Sequence, residues 1–213
     1  MESNVNYQDY FSSMPTANLA KDLLGRPFSY FDGQERLGGY IVEAEAYLGK
    51  QDRAAHSYAG RRSQANEGLY GPPGTIYIYS QRQYFFFDVA AQAKDEPQGI
   101  LIRAIEPAFG LEQMIQNRGK DGVLLTNGPA KLMLALGVNS RAWDCQPLSQ
   151  SPFAIDLDPR KRKAAKQLIA APRIGINQSD PFWASQPLRF FVAGNPYVSD
   201  MKKRDYDPNR GWR

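Results

Sequence analysis

Two carboxylates and a phenol stand at alternate positions in the run Ile41-Val42-Glu43-Ala44-Glu45-Ala46-Tyr47. In an extended strand successive side chains point to opposite faces, so Glu43, Glu45 and Tyr47 share one face with neighbours about 7 Å apart. The other face holds only small and apolar residues. If the acidic face is half buried, each carboxylate raises the pKa of the other, and one of them can serve as a general base. The same alternation also describes the solvated face of an amphipathic strand. His56, the only histidine of the chain, follows in a loop, where a lone histidine is more often incidental than catalytic and a role needs a ring nitrogen aimed at a ligand. Further on, Tyr77 and Tyr79 fall on one face of a strand and Ile76 and Ile78 on the other, and Tyr84-Phe85-Phe86-Phe87 come next. Aromatic runs of this kind build cores, but beside basic residues they also stack unpaired bases. Arg53, Arg61, Arg62 and Arg82 are near in sequence, and Arg103 interrupts an apolar strand, which calls for a partner.

These side chains need a frame. Residues 16–24 read as a helix, capped by Thr16 or Asn18 and ended by Gly25 before Pro27. Two strands, Phe28 to Phe31 and Arg36 to Tyr47, flank a turn at Asp32-Gly33, and Gly38-Gly39 suggest a bulge in the second. Leu48 to Gly74 has no clear periodicity, and a loop of that length inside a compact domain is usually functional or disordered. Thr75 to Ser80 and Tyr84 to Ala91 form a hairpin with Gln81, Arg82 and Gln83 at its tip. A strand over Gly99 to Ile105 and helices near Leu111 to Asn117 and Pro129 to Leu136 follow. Pro129 suits the first turn of its helix and Gly137 its end. Short strands close with Leu188 to Val192. Strands that precede helices without regular alternation argue for an α+β class: one compact domain, residues 1–200, around a curved, largely antiparallel sheet with flanking helices and a protruding hairpin. Residues 201–213 read as a basic, polar tail that frays.

Composition narrows the function. The chain has 213 residues, a net charge of +4 and one cysteine, Cys145, which leaves no internal disulfide. Met1 to Asp9 is polar and acidic with no apolar core, so no secretory signal is read there, and no run approaches a membrane span. A reducing cytoplasm is the default. The charge leans toward a polyanionic partner. A Cys/His zinc site is nearly excluded by one Cys and one His, and neither glycine-rich nucleotide fingerprint occurs, so no metal and no organic cofactor is expected.

Several blocks in order resemble the alkyladenine (3-methyladenine) DNA glycosylase family. They are Val42-Glu43-Ala44-Glu45-Ala46-Tyr47-Leu48-Gly49, then Asp52 to Gly60 with Ala54-Ala55-His56-Ser57, then Gly71-Pro72-Pro73-Gly74-Thr75-Ile76-Tyr77-Ile78-Tyr79. Leu101-Ile102-Arg103-Ala104-Ile105-Glu106-Pro107, Asn127-Gly128-Pro129-Ala130-Lys131-Leu132, Pro172-Arg173-Ile174-Gly175-Ile176 and Pro187-Leu188-Arg189-Phe190-Phe191-Val192 continue the likeness, which spans roughly residues 17–200. The resemblance implies a monofunctional glycosylase that flips alkylated purines out of double-stranded DNA, acts as a monomer and has no lyase activity. By position it implies Glu45 as the base that activates water, with Arg103 beside that water. Tyr47 and His56 enclose the flipped base and Tyr79 is the opposite stacking face. Arg61, Arg62 and Arg82 are expected on the DNA-binding face.

The sequence departs from the family twice. Where the family carries a wedging Tyr at the hairpin tip, Ser80-Gln81-Arg82-Gln83-Tyr84 is one residue shorter and lacks it. Asp88 stands where the family has Asn. An ionised Asp88 favours cationic purines; in the empty site it is expected to be partly protonated or paired with an Arg. Two other readings remain: a non-catalytic nucleic-acid binding module, and a carbohydrate-type glycosidase using Glu43 and Glu45.

Overall fold

Strand alternation and two sheet-crossing glycines shape the frame. The structure, a computed structural model, describes residues 6–213, so the first five residues of the Met1 to Asp9 segment, over which no secretory signal was expected, lie outside the described residues. Among the described residues eight strands form one antiparallel sheet: β1 (Pro27–Phe31), β2 (Arg36–Tyr47), β3 (Ile76–Gln81), β4 (Tyr84–Ala91), β5 (Gln98–Phe109), β6 (Phe153–Ile155), β7 (Leu168–Ala171) and β8 (Arg189–Val192). The order β3-β4-β5-β2-β1-β6 forks at β2, whose second half pairs with β8, and β8 in turn pairs with β7. The α+β class is borne out.

Register shifts in β2 fall at Gly38/Gly39 and on either side of Glu43. At Gly39 a Cβ would lie 1.9 Å from the Glu106 carbonyl oxygen, so only glycine lets the two strands approach there. One face of the sheet carries Val42, Ala44, Ala46, Ile76, Ile78, Phe87, Val89, Ile100 and Ile102 into the main core. Helices α2 (Thr16–Asp22), α3 (Leu111–Arg118) and α4 (Pro129–Ala135) pack onto this sheet. Among the described residues no helix is long and apolar enough to cross a membrane.

Local differences from the sequence reading have local causes. Pro15, not Thr16 or Asn18, holds the N-cap of α2, and the Thr16 hydroxyl instead donates to Gln98 Oε1 at 2.6 Å. A short helix α1 (Tyr7–Ser12) precedes it, capped by Asn6. The stretch 48–74 is ordered into 3-10 turns at Gly49–Gln51, Tyr58–Gly60 and Glu67–Tyr70. Pro129 does open α4 and Gly137, at φ 73°, follows its end. The hairpin tip is two residues, Arg82 and Gln83, because Gln81 pairs with Tyr84.

The tail does not fray. Lys202–Asp205 are exposed, but Trp212 is buried and its indole N–H donates to Glu106 Oε2 at 2.7 Å. The backbone of Lys166 donates to Gly211, and that of Arg213 to Ala164. An aromatic ring near the end of a polar segment was the signal for this docking: its burial offsets the entropy of ordering the residues before it.

Candidate active site

The polar face of the sheet is the floor of a cavity of about 750 Å³, within the roughly 300–1,000 Å³ typical of small-ligand pockets. Strand register decides who meets there. Glu45 pairs with Leu101, Leu101 with Asp88, and Asp88 with Tyr77, so one row of side chains runs across β2, β5, β4 and β3.

At one end of the row the carboxylates are bound unequally. Glu43 Oε1 accepts from Arg103 Nε and Arg189 Nη1, both at 3.0 Å, and Oε2 accepts from the Ser199 backbone N–H at 2.8 Å. Glu45 Oε1 accepts from the Ile174 N–H at 2.7 Å, with Arg103 Nη1 at 3.3 Å, and Oε2 accepts from the Tyr47 hydroxyl at 2.8 Å. Arg103 is thus partnered by both glutamates. Both carboxylates are fully withdrawn from solvent. Burial raises the Glu45 pKa, and Arg103, the Ile174 N–H and the Tyr47 hydroxyl only partly offset it; the Glu43 charge adds a smaller push upward. A carboxylate held up in this way is a stronger base.

The walls are aromatic. Tyr77 and Tyr79 stack at 5.2 Å, and Tyr79 stacks on Phe86 at 5.0 Å. His56 meets Tyr79 edge-on at 4.7 Å, and its Nδ1 lies 2.7 Å from the Tyr77 hydroxyl. His56 is exposed as a residue, and the partial burial of its ring lowers its pKa, which favours neutral imidazole. Tyr47 forms the wall above Glu45. Behind it, Arg173 Nη1 and Nη2 grip both oxygens of Asp52, at 2.6 and 2.9 Å, and the guanidinium lies 4.6 Å from the Tyr47 ring.

Asp88 is 4% exposed and lines the cavity, and among the described residues its Oδ1 has no hydrogen-bond partner. Burial first, then the charge of Glu45, raises its pKa well above the ordinary aspartate value. Of the two states expected for it, protonated or paired with an Arg, the surroundings favour the first. Leu69 lies over Gly99, where a Cβ would come within 2.7 Å of it.

The structure therefore brings Arg103, Tyr47, His56, Tyr79 and Asp88 to the lining of one cavity, and Glu45 lies buried just behind it, against Tyr47, Ile174 and Arg103. The arginines separate. Arg61 is exposed on the cavity rim, and Arg82 is exposed at the hairpin tip with φ 57°. Arg62 is tied to Glu67 and Asp95 and lies over the Tyr70 ring at 4.6 Å. Arg53 is tied to Asp180. Sequence reasoning assigned no role to Ile174, Arg173, Asp52 or Ser199, which orient the catalytic candidates. An arginine inside a mostly apolar block, Pro172 to Ile176, was the available signal.

The polar face of the sheet thus meets an aromatic-walled cavity lined in part by Arg103, with a desolvated glutamate of raised pKa behind one wall. Comparison gives the particular family: methylpurine-DNA glycosylase matches residues 10–196, and the chain belongs to that family. It is 64% identical to a protein of Lactobacillus helveticus over 98% of this chain and 100% of the other. Identity is 49% to one of Latilactobacillus sakei, over 95% of each chain. It is 43% to one of Enterococcus faecalis, over 95% of this chain and 88% of the other. All three bear the name "Putative 3-methyladenine DNA glycosylase".

Proposed function

We propose that this protein is a monofunctional DNA glycosylase that takes an everted, alkylated purine into the cavity and hydrolyses its N-glycosidic bond. The observation that carries this reading is Glu45: a buried carboxyl with a raised pKa behind an aromatic wall, oriented by Ile174, Tyr47 and Arg103. A base in a duplex is out of reach of such a site and must be flipped into it. Tyr47, His56 and Tyr79 supply flat faces that attract a cationic ring by about 0.5–2 kcal/mol.

The chemistry follows from the atoms. The bond from the sugar C1′ to the base nitrogen breaks and its electron pair leaves with the base. A water oxygen bonds to C1′ and its proton passes to Glu45. The bonds from Tyr47 and Ile174 do not exhaust the carboxylate, since an ionised carboxylate has about four acceptor sites. A cationic purine departs neutral, so it needs little help from an acid. No lysine nucleophile is invoked, and strand cleavage is not part of this reading. The protein acts as a monomer on double-stranded DNA, with Arg61 at the cavity rim and Arg82 at the hairpin tip entering the vacated space. A guanidinium can both stack and hydrogen-bond there.

Incubation with duplexes carrying 3-methyladenine, 7-methylguanine, hypoxanthine or ethenoadenine tests the reading. Free base and an intact abasic strand are expected. Tight binding of the lesion duplex with no base released would make the protein a binding module instead.

A further inference from the structure

The floor and the rim of the cavity are built differently. Tyr77 and Asp88 on the floor are buried, whereas Arg61, Ser63, Ala65 and Ser80 on the rim are exposed. Another rim residue, Arg141, is pinned from behind. It lines the cavity with its side chain 33% exposed. Its Nη2 donates to the Ala65 carbonyl at 3.1 Å and to Asp144 Oδ2. Asp144 is fixed in turn, since its Oδ1 accepts from the Ile78 backbone N–H at 2.9 Å. Every guanidinium nitrogen carries N–H donors. Nη2 spends its own here, and among the described residues Nε and Nη1 have no partner. Arg62 differs, since its Nε, Nη1 and Nη2 all donate to Glu67 and Asp95.

The sheet decides where Arg141 stands. β3 is an edge strand, and residues 144–146 cover the start of its open side: Ile76 donates to Gln146 and accepts from Cys145, and Ile78 donates to Asp144. Outward N–H groups recur at alternate residues along such an edge. The next one belongs to Ser80, which is exposed and lines the cavity. Arg141 therefore ends the covered part of the edge, and beyond it, toward the hairpin tip, lie the Ser80 N–H and Arg82. The base of an everted nucleotide goes to the buried aromatic floor, so what lies over the exposed rim is the sugar–phosphate chain. Arginines and backbone N–H groups are among the usual phosphate ligands on DNA, and their bonds to an anion are the strong ones.

Resting on the glycosylase reading for what fills the cavity, we infer that Arg141 and the Ser80 N–H form a phosphate site that holds the damaged strand beside the everted nucleotide. Asp144 aims the guanidinium and the Ala65 carbonyl keeps it on the rim, so the site is preformed and little ordering is lost on binding. A contact to the backbone carries no base preference, so it serves every lesion alike.

Equilibrium binding to a duplex with a tetrahydrofuran abasic analogue tests this, since that duplex offers the floor no base and the enzyme no bond to cut. The phosphates flanking the analogue are replaced one at a time by neutral methylphosphonates. For wild type one replacement should weaken binding about tenfold. Arg141→Gln should bind the unmodified duplex about tenfold more weakly and lose nothing further at that phosphate, while at the other phosphates the two losses multiply. Arg141→Lys retains a cation for Asp144; it should keep the wild-type thermal midpoint and show a smaller response at the same phosphate. Unchanged affinity in Arg141→Gln, losses that multiply at every phosphate, or a full response in Arg141→Lys would overturn the site. So would a loss confined to duplexes that carry a damaged base, which would put Arg141 on the base instead. A wild type with the phosphate response that releases no base from any lesion duplex would bring down the glycosylase reading and leave the site standing.

Discussion

Glu106 on β5 and Glu45 on β2 are both glutamates of the sheet, both almost closed to water, and both reached by several donors. Glu106 accepts from Lys163 at 3.0 Å, Asn195 at 2.8 Å, Trp212 at 2.7 Å and Arg210 at 3.4 Å. Burial works against its charge, but the bonds from Trp212, Lys163 and Asn195 outweigh burial and hold its pKa below the ordinary value. At Glu45 the balance goes the other way. Two neutral donors and an arginine already shared with Glu43 fail to offset burial, and the pKa rises. One carboxylate is consumed by structure, fastening the tail to the sheet. The other is left with basicity to use. What separates the two sites is the balance of donors against burial: four donors, Trp212 foremost, outweigh it at Glu106, whereas three fail to at Glu45.

The sharpest way to break this contrast is to exchange the outcomes. Glu45→Gln should lose about 10²–10⁴ in turnover while keeping lesion-DNA binding and thermal stability. Glu106→Ala should keep turnover per folded molecule and lose stability, about 1–3 kcal/mol for each buried donor left unpaired. Excision kinetics and thermal melts on the two variants decide it; a stable, inactive Glu106→Ala would undo the comparison. The pH dependences are opposite in sign. The Glu106 contribution is present above the usual glutamate pKa of about 4.3 and lost as pH falls through its lowered folded value. The Glu45 contribution is fully present below that usual value and lost as pH rises through its raised folded value.

A smaller effect is expected at Tyr47. Its hydroxyl bond favours the ionised form of Glu45, so Tyr47→Phe should raise the Glu45 pKa further and move the acid limb of kcat/KM to higher pH, with the ring face retained. A pH profile on a cationic lesion reads this directly; an unmoved limb would mean that the bond does not tune the base.

The smallest effects concern Arg61 and Arg62. Arg61→Ala should weaken lesion and undamaged DNA alike and reduce the slope of log K against log salt by about 0.9 for one phosphate contact. Arg62→Ala should change the slope less, since Glu67 and Asp95 already balance its charge. Salt titrations giving equal slope changes would show the Arg62 ion pairs to be dispensable on DNA.

Much of the frame was legible in the sequence, because it depends on local periodicity. The alternation in Glu43-Ala44-Glu45-Ala46-Tyr47 put the acidic face opposite the apolar one, and Ile76 and Ile78 turned Tyr77 and Tyr79 toward the cavity. Pro129 and Gly137 bracketed α4 as their backbone preferences require. The site residues were legible as types that resemble a family. The short strand β6, the docked Trp212 and the order within residues 48–74 were not, since long-range pairing holds them and little periodicity marks them.

The sequence by itself determined the class, the polar strand face and the candidates Glu45, Tyr47, His56, Tyr79, Asp88 and Arg103. It could not determine their states. Glu45 takes its orienting hydrogen bond from Ile174, 129 residues away, and Asp52 its bidentate partner from Arg173, 121 residues away. Asp88 owes its raised pKa to burial and to the charge of Glu45, and Arg62 owes its neutralisation to Glu67 and Asp95. The physical reason is common to all four. Periodicity sets the direction of a side chain, but its charge depends on which dipoles and cations reach it and on how much water remains, and only the folded chain brings those together.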